Sequence, residues 1–107
     1  MNKEEIEKVY KYFELLKEIE SISKEIEKII TENSDVDMYS AWFVNIVELE
    51  KYYDENREEY YLYDGEYNAY QQNNYFLWQV TEYEDSFYGC IYYPLENNKY
   101  LQINYGF

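Results

Sequence analysis

At 107 residues and 47% hydrophobic content, the chain has room for one domain with one compact core. Its 23 acidic residues against nine basic ones leave a net charge of −14, which disfavours direct binding to nucleic acid or to an anionic membrane. Acid-rich chains poor in aromatics stay disordered, but 22% of this one is aromatic, with 17 Tyr, so a folded domain is expected.

The lone Cys90 has no disulfide partner within the chain, and residues 1 to 5 do not open a signal peptide. No apolar run reaches the length of a membrane span, so a reducing cytoplasm is the expected setting.

Residues 1 to 32 read as one long amphipathic helix without Gly or Pro. Ile6, Val9, Tyr10, Phe13 and Leu16 form one apolar set, and Leu15, Ile19, Ile22, Ile26 and Ile29 a second. The two sets centre roughly 155° apart at 100° per residue, so the apolar stripe changes face, or the helix bends, near Leu15 and Leu16. Glu4 with Lys8, Glu7 with Lys11 and Glu20 with Lys24 are i,i+4 pairs in the favourable order.

Asn33, Ser34 and Asp35 break this helix and offer N-caps for a second, over residues 36 to 59, with Met38, Trp42, Phe43, Ile46, Val47 and Leu49 at helical spacing. Residues 60 to 74, rich in Tyr, Asn and Gln and containing Gly65, read as irregular. From 75 to 107 the pattern changes to alternation, with Phe76, Trp78 and Val80 on one face and Gln79 and Thr81 on the other. Strands over 75 to 84, 87 to 95 and 100 to 107 are separated by Glu84-Asp85-Ser86 and Glu96-Asn97-Asn98.

The expected fold class is therefore α+β in a single domain, two N-terminal helices on one face of a three-stranded antiparallel meander. Trp42, Phe43, Ile46, Phe76, Trp78, Val80, Ile91, Leu101 and Ile103 are the expected core.

Catalytic templates find little to use here. Without histidine there is no Ser-His or Cys-His pair, and three glycines cannot form a phosphate-cradling loop of standard spacing. Cys90 lies in an apolar-aromatic strand with no cationic neighbour, the setting of a buried structural thiol. The carboxylates show no EF-hand pattern. No catalytic residue, metal ligand or cofactor is expected.

Charge distribution is more informative. Residues 33 to 107 hold 14 acids and three bases, and from Glu48 to Glu66 there are eight acids against two bases. On the expected helix Glu48, Glu55 and Glu59 share one stripe and Glu50, Asp54 and Glu58 another, two carboxylate rows at the scale of a phosphate backbone. Tyr52, Tyr53, Tyr60, Tyr61, Tyr63, Tyr67 and Tyr70 are threaded among these acids, and Tyr is a favoured interface anchor that packs on Arg. Tyr83, Tyr92, Tyr93, Tyr100 and Tyr105 instead suit a pleated sheet. The candidate partner-binding residues are thus Glu48, Glu50, Asp54, Glu55, Glu58, Glu59, Tyr60, Tyr61, Tyr63, Asp64, Glu66 and Tyr67.

In length, in its charge of −14 and in this acidic-aromatic segment, the chain resembles the small phage-encoded DNA-mimic inhibitors of host defence, of the anti-CRISPR and antirestriction type. The resemblance implies a non-enzymatic inhibitor acting in the host cytoplasm. It would bind the basic nucleic-acid-binding surface of a protein, foremost an RNA-guided nuclease, with the acids of Glu48 to Glu66 facing its Arg and Lys. Two other readings share parts of this signal: an acidic immunity or antitoxin-like protein that neutralises a basic toxin, and a carboxylate-based metal protein or enzyme.

Overall fold

The structure, a computed structural model, describes residues 1–83 and 86–106 and, among these, all side chains but those of residues 82 and 83. The separator at Glu84 and Asp85 and the strand end at Phe107 lie outside the described residues, as does the side chain of Tyr83. Contacts divide the chain into two compact units, Met1–Val36 and Asp37–Phe107.

The first unit holds α1 (Lys3–Asn33). It starts where a capping box forms: Asn2 Oδ1 accepts from the Glu5 backbone N–H at 2.9 Å, and the Glu5 carboxylate reaches back to the Asn2 backbone N–H. It ends where the Asn33 amide and the Ser34 hydroxyl donate to the Ile29 and Ile30 carbonyls at 2.7 and 2.6 Å, satisfying acceptors of the last turn. Among the described residues the ion pair formed on this helix is Lys28–Glu32, at 3.9 Å.

The second unit overturns the expected fold class. In place of a second helix over 36 to 59, an irregular stretch over 60 to 74 and a three-stranded meander, it is a seven-stranded antiparallel sheet. The strands are β1 (Ala41–Glu48), β2 (Lys51–Asp54), β3 (Glu59–Tyr63), β4 (Asn68–Gln71), β5 (Phe76–Tyr83), β6 (Ser86–Pro94) and β7 (Lys99–Gly106). Trp42, Phe43, Ile46 and Val47 fit helical spacing, but all are aromatic or β-branched and prefer a pleated surface, and pairing with β7 decides the matter. The last three strands fall where alternation places them. The β6–β7 connection, residues 95 to 98, turns where the Lys99 N–H donates to the Glu96 carbonyl at 2.8 Å, with Asn97 and Asn98 at φ 47° and 62°, positive values that Asn tolerates and a twisted hairpin requires.

Strand order is β1-β7-β6-β5-β4-β3-β2, so β1 and β2 stand at opposite ends of the order although only Leu49 and Glu50 separate them in sequence. Three Cα–Cα steps reach at most ~11 Å, whereas six strand spacings in a flat sheet span ~29 Å. The sheet must therefore coil until its edges meet. One bent segment, 41 to 54, pairs with β7 by its first half and with β3 by its second, in the manner of a small barrel.

The interior of this coil is the core: Leu62, Ala69, Phe76, Cys90, Tyr92 and Tyr100, with Val47, Leu49 and Trp78 packed against it. Of the expected core, Phe76, Ile91 and Ile103 are buried, whereas Trp42 and Ile46, assigned to the face of an absent helix, are 54% and 59% exposed. Cys90 is a free, fully buried thiol, pushed up in pKa chiefly by burial.

Burying phenols fixes a pH dependence. Burial raises Tyr105 to about 12, and burial followed by the hydrogen bond to Asp64 raises Tyr92 further. Unfolded tyrosines ionise near pH 10, before these do, so the stability they contribute is present below pH ~10 and is lost as pH rises through the folded values. Circular dichroism should show cooperative unfolding above pH ~10, coincident with late tyrosinate absorbance. A fold that persists while all tyrosines titrate together would contradict this burial.

Gly89 on β6 pairs with Gln79 and Tyr105, and the Tyr105 ring lies across it to donate a 2.9 Å hydrogen bond to Gln79 Oε1. A Cβ at Gly89 would collide with the Tyr105 ring and come within 2.6 Å of the Trp78 carbonyl oxygen. Gly89→Ala should therefore destabilise by about 1–3 kcal/mol in urea unfolding, where an ordinary strand glycine would gain stability from Ala.

Candidate functional site: an acidic, tyrosine-lined sheet face

Alternation along the bent segment sorts its side chains. Val47 and Leu49 pack on the core, and Lys51 is registered with buried Leu62, so Glu48, Glu50, Tyr52 and Asp54 fall on the outward face. Within β2, Tyr52 and Asp54 stand about 6.6–6.8 Å apart. Across the strands Tyr52 pairs with Tyr61, Tyr61 with Tyr70, and Asp54 with Glu59. The same face thus collects Glu48, Glu50, Asp54, Glu59, Tyr61 and Tyr63, together with Tyr52 and Tyr70.

One register row runs across all seven strands on this face: Tyr52, Tyr61, Tyr70, Leu77, Ile91, Ile103 and Phe43. Its aliphatic end is shielded at Ile91 and Ile103, while its tyrosine end opens at Tyr52, 46% exposed. Ring centroids along the tyrosine end are 5.7 and 5.5 Å apart. Carboxylates hold the outer rings by their hydroxyls: Tyr52 donates to Glu50 at 3.2 Å and Tyr70 to Asp54 at 3.0 Å. The hydrogen bond to Glu50 and that residue's charge raise the pKa of Tyr52.

A cation is already seated here. The Arg57 guanidinium lies 3.8 Å from the Tyr70 ring centre, and its Nε donates to Glu59 at 3.1 Å. The β2–β3 turn positions it, because Asp54 Oδ1 accepts from the backbone N–H groups of Asn56 and Arg57 at 3.0 and 3.2 Å. These donors, that of Arg57 first, hold the Asp54 carboxyl below its usual range.

The remaining sequence-predicted residues lie elsewhere. Glu55 and Glu58 are in the turn, so the two carboxylate stripes expected on a helix do not exist: their members are divided between strands and a turn because the segment is a hairpin. Tyr60 faces the opposite side, its ring 4.9 Å from that of Tyr53 and 4.7 Å from Lys51 Nζ.

Asp64, Glu66 and Tyr67 form the β3–β4 turn. Asp64 Oδ1 accepts from the Glu66 and Tyr67 backbone at 2.9 and 2.8 Å, and Oδ2 from Trp78 Nε1 at 3.0 Å and the Tyr92 hydroxyl at 2.7 Å. Burial alone would push this carboxyl up, but the four donors outweigh it and hold it low. Tyr67 stacks on Trp78 at 4.2 Å, and its hydrogen bond to Tyr88 helps push it to about 12. Asp64 and Tyr67 are thus engaged within the protein. A cleft of about 270 Å³ beside them is lined by Val47, Leu49, Asp64, Glu66, Tyr92 and Gln102.

Sequence reasoning left Tyr52, Tyr70 and Arg57 out of the site. The signal for Tyr52 is the two-residue spacing of Glu48, Glu50, Tyr52 and Asp54, which marks one strand face. Among the described residues no helix is long and apolar enough to cross a membrane, and no group of three or more His, Cys, Asp or Glu is placed to hold a metal ion. Searches against protein-family models, curated proteins and solved structures give no match.

Proposed function

We propose that this chain is a non-enzymatic inhibitor that occupies the basic, nucleic-acid-binding surface of a partner protein in place of DNA, with an RNA-guided nuclease as the foremost target class. The observation that carries the reading is the outward face of β2, β3 and β4. There carboxylates and tyrosines are interleaved, and Arg57 is held by both, stacked on Tyr70 and paired with Glu59. A nucleic-acid groove presents the same Arg and Lys groups, and an acidic face steers them into contact. The chain's net charge of −14 and its lack of histidine agree with a binding role rather than a catalytic one.

Affinity capture from a bacterial lysate on the immobilised protein, followed by mass spectrometry, tests the proposal. The expected catch is a nucleic-acid-binding protein that elutes with salt and is displaced by duplex DNA. Capture insensitive to both salt and DNA would count against it, and capture of a basic toxin without nucleic-acid affinity would move the protein to the immunity class.

A further inference from the structure

We infer that the tyrosine ladder of β2, β3 and β4 is an arginine-selective site that takes one guanidinium per ring, and that Arg57 occupies its last rung as an internal stand-in for the partner's arginines. The inference rests on the cation-binding reading of this face and adds which cation it selects and where.

Three observations lead to it. Tyr52, Tyr61 and Tyr70 stand in direct register, at centroid separations of 5.7 and 5.5 Å. The Tyr70 rung is filled: Arg57 stacks 3.8 Å from the ring centre while Glu59 takes its Nε–H. No cation of the chain stands over Tyr52 or Tyr61 among the described residues, although Glu50 lies beside the first, hydrogen-bonded to its hydroxyl.

The Tyr52 and Tyr70 rungs thus each combine an aromatic ring with a carboxylate near it, Tyr61 lies between them, and the filled rung shows which chemistry fits. A guanidinium is planar and weakly hydrated, so it lies on a ring while donating in its own plane to a carboxylate; an ammonium is a compact, strongly hydrated charge that does the second more readily than the first. The rung spacing also equals the 5–6 Å between side chains three or four apart on a helix, so arginines on one helix face can seat side by side. Charge complementarity commits the face to an arginine-rich segment of a protein.

The test uses nona-arginine and nona-lysine as probes, titrated calorimetrically into the full chain at low and moderate salt. Nona-arginine should bind about 5-fold or more tightly than nona-lysine, two open rungs each contributing a few-fold. Tyr52→Leu, at an exposed edge position, should abolish most of that preference while leaving a salt-dependent attraction common to both peptides. Arg57→Gln should tighten nona-arginine several-fold by opening the third rung. Tyr61→Leu, checked for folding by circular dichroism, repeats the test at the central rung.

Equal affinity for the two peptides, or a preference untouched by Tyr52→Leu and Tyr61→Leu, would overturn the ladder while leaving the acidic-face reading in place. Binding of neither peptide at low salt would overturn both. Weaker nona-arginine binding by Arg57→Gln with the fold intact would make Arg57 a clamp of the turn instead of an occupant of the site.

Discussion

Trp78→Ala is expected to lower the unfolding free energy by about 3–5 kcal/mol, the usual cost of truncating a large aromatic packed on a core. Trp78 touches the interior cluster, stacks on Tyr67 at 4.2 Å, meets the Tyr88 ring edge-on at 6.0 Å and donates to Asp64 at 3.0 Å. Asp64→Ala should cost about 2–4 kcal/mol, because it strands the Trp78 indole and the hydroxyl of fully buried Tyr92 along with two turn amides. The two losses should not add, since Trp78→Ala already removes one donor that Asp64 serves.

Because the donors hold the Asp64 carboxyl below 3.8, its contribution is present above that pH and is lost as pH falls through the lower folded value. The wild-type chain should lose more stability between pH ~5 and ~2 than Asp64→Ala does. Urea unfolding with unchanged m-values decides the matter. A loss below about 1 kcal/mol for Trp78→Ala would place that side chain outside the packed interior.

The second large effect concerns binding. Reversing Glu48, Glu50 and Glu59 together to Lys should weaken the captured partner by about 100-fold or more at low salt, from roughly 1 kcal/mol or more for each pair lost at an interface. All three lie on the outward face, and none serves the core. Removing like charges from a chain of net charge −14 offsets the loss of the exposed Glu59–Arg57 ion pair and should leave the sheet folded. Reversing Glu4, Glu18 and Glu25 on α1, where nine acids meet six bases between residues 1 and 32, should change affinity much less. Asp54 and Glu58 are poor choices for such a test: Asp54 ties the β2–β3 turn, and Glu58 sits at φ 54° within it.

The first helix is legible in the sequence because spacings of three and four run from Ile6 to Ile29 without Gly or Pro, and the last three strands because aromatic and β-branched runs are set apart by turn residues. Asn97-Asn98 marks the last hairpin, whereas the capping box of Asn2 and Glu5 at the start of α1 comes from the structure. Residues 36 to 59 are not legible in this way. Trp42, Phe43, Ile46, Val47 and Leu49 satisfy a helical spacing by coincidence of number, while Val47 and Leu49 against Glu48 and Glu50 satisfy a strand period over too few residues to stand out. The choice depends on β7, some fifty residues further along, which a local pattern does not contain.

The candidate site was legible as composition and not as geometry. Acids and tyrosines between Glu48 and Glu66 announce a cation-binding surface, but which of them share a face follows from strand register, and the roles of Asp64 and Arg57 follow from contacts with Trp78, Tyr92 and Tyr70.

The central claim, that the outward face of β2, β3 and β4 receives a basic partner, is tested most directly by mapping amide chemical shifts of the isotopically labelled chain as nona-arginine is added at low salt. The account predicts shifts that concentrate on Glu48, Glu50, Tyr52, Glu59, Tyr61 and Tyr70 and fade as salt is raised. Shifts that concentrate on α1, or on the opposite side of the hairpin at Tyr53 and Tyr60, would contradict it.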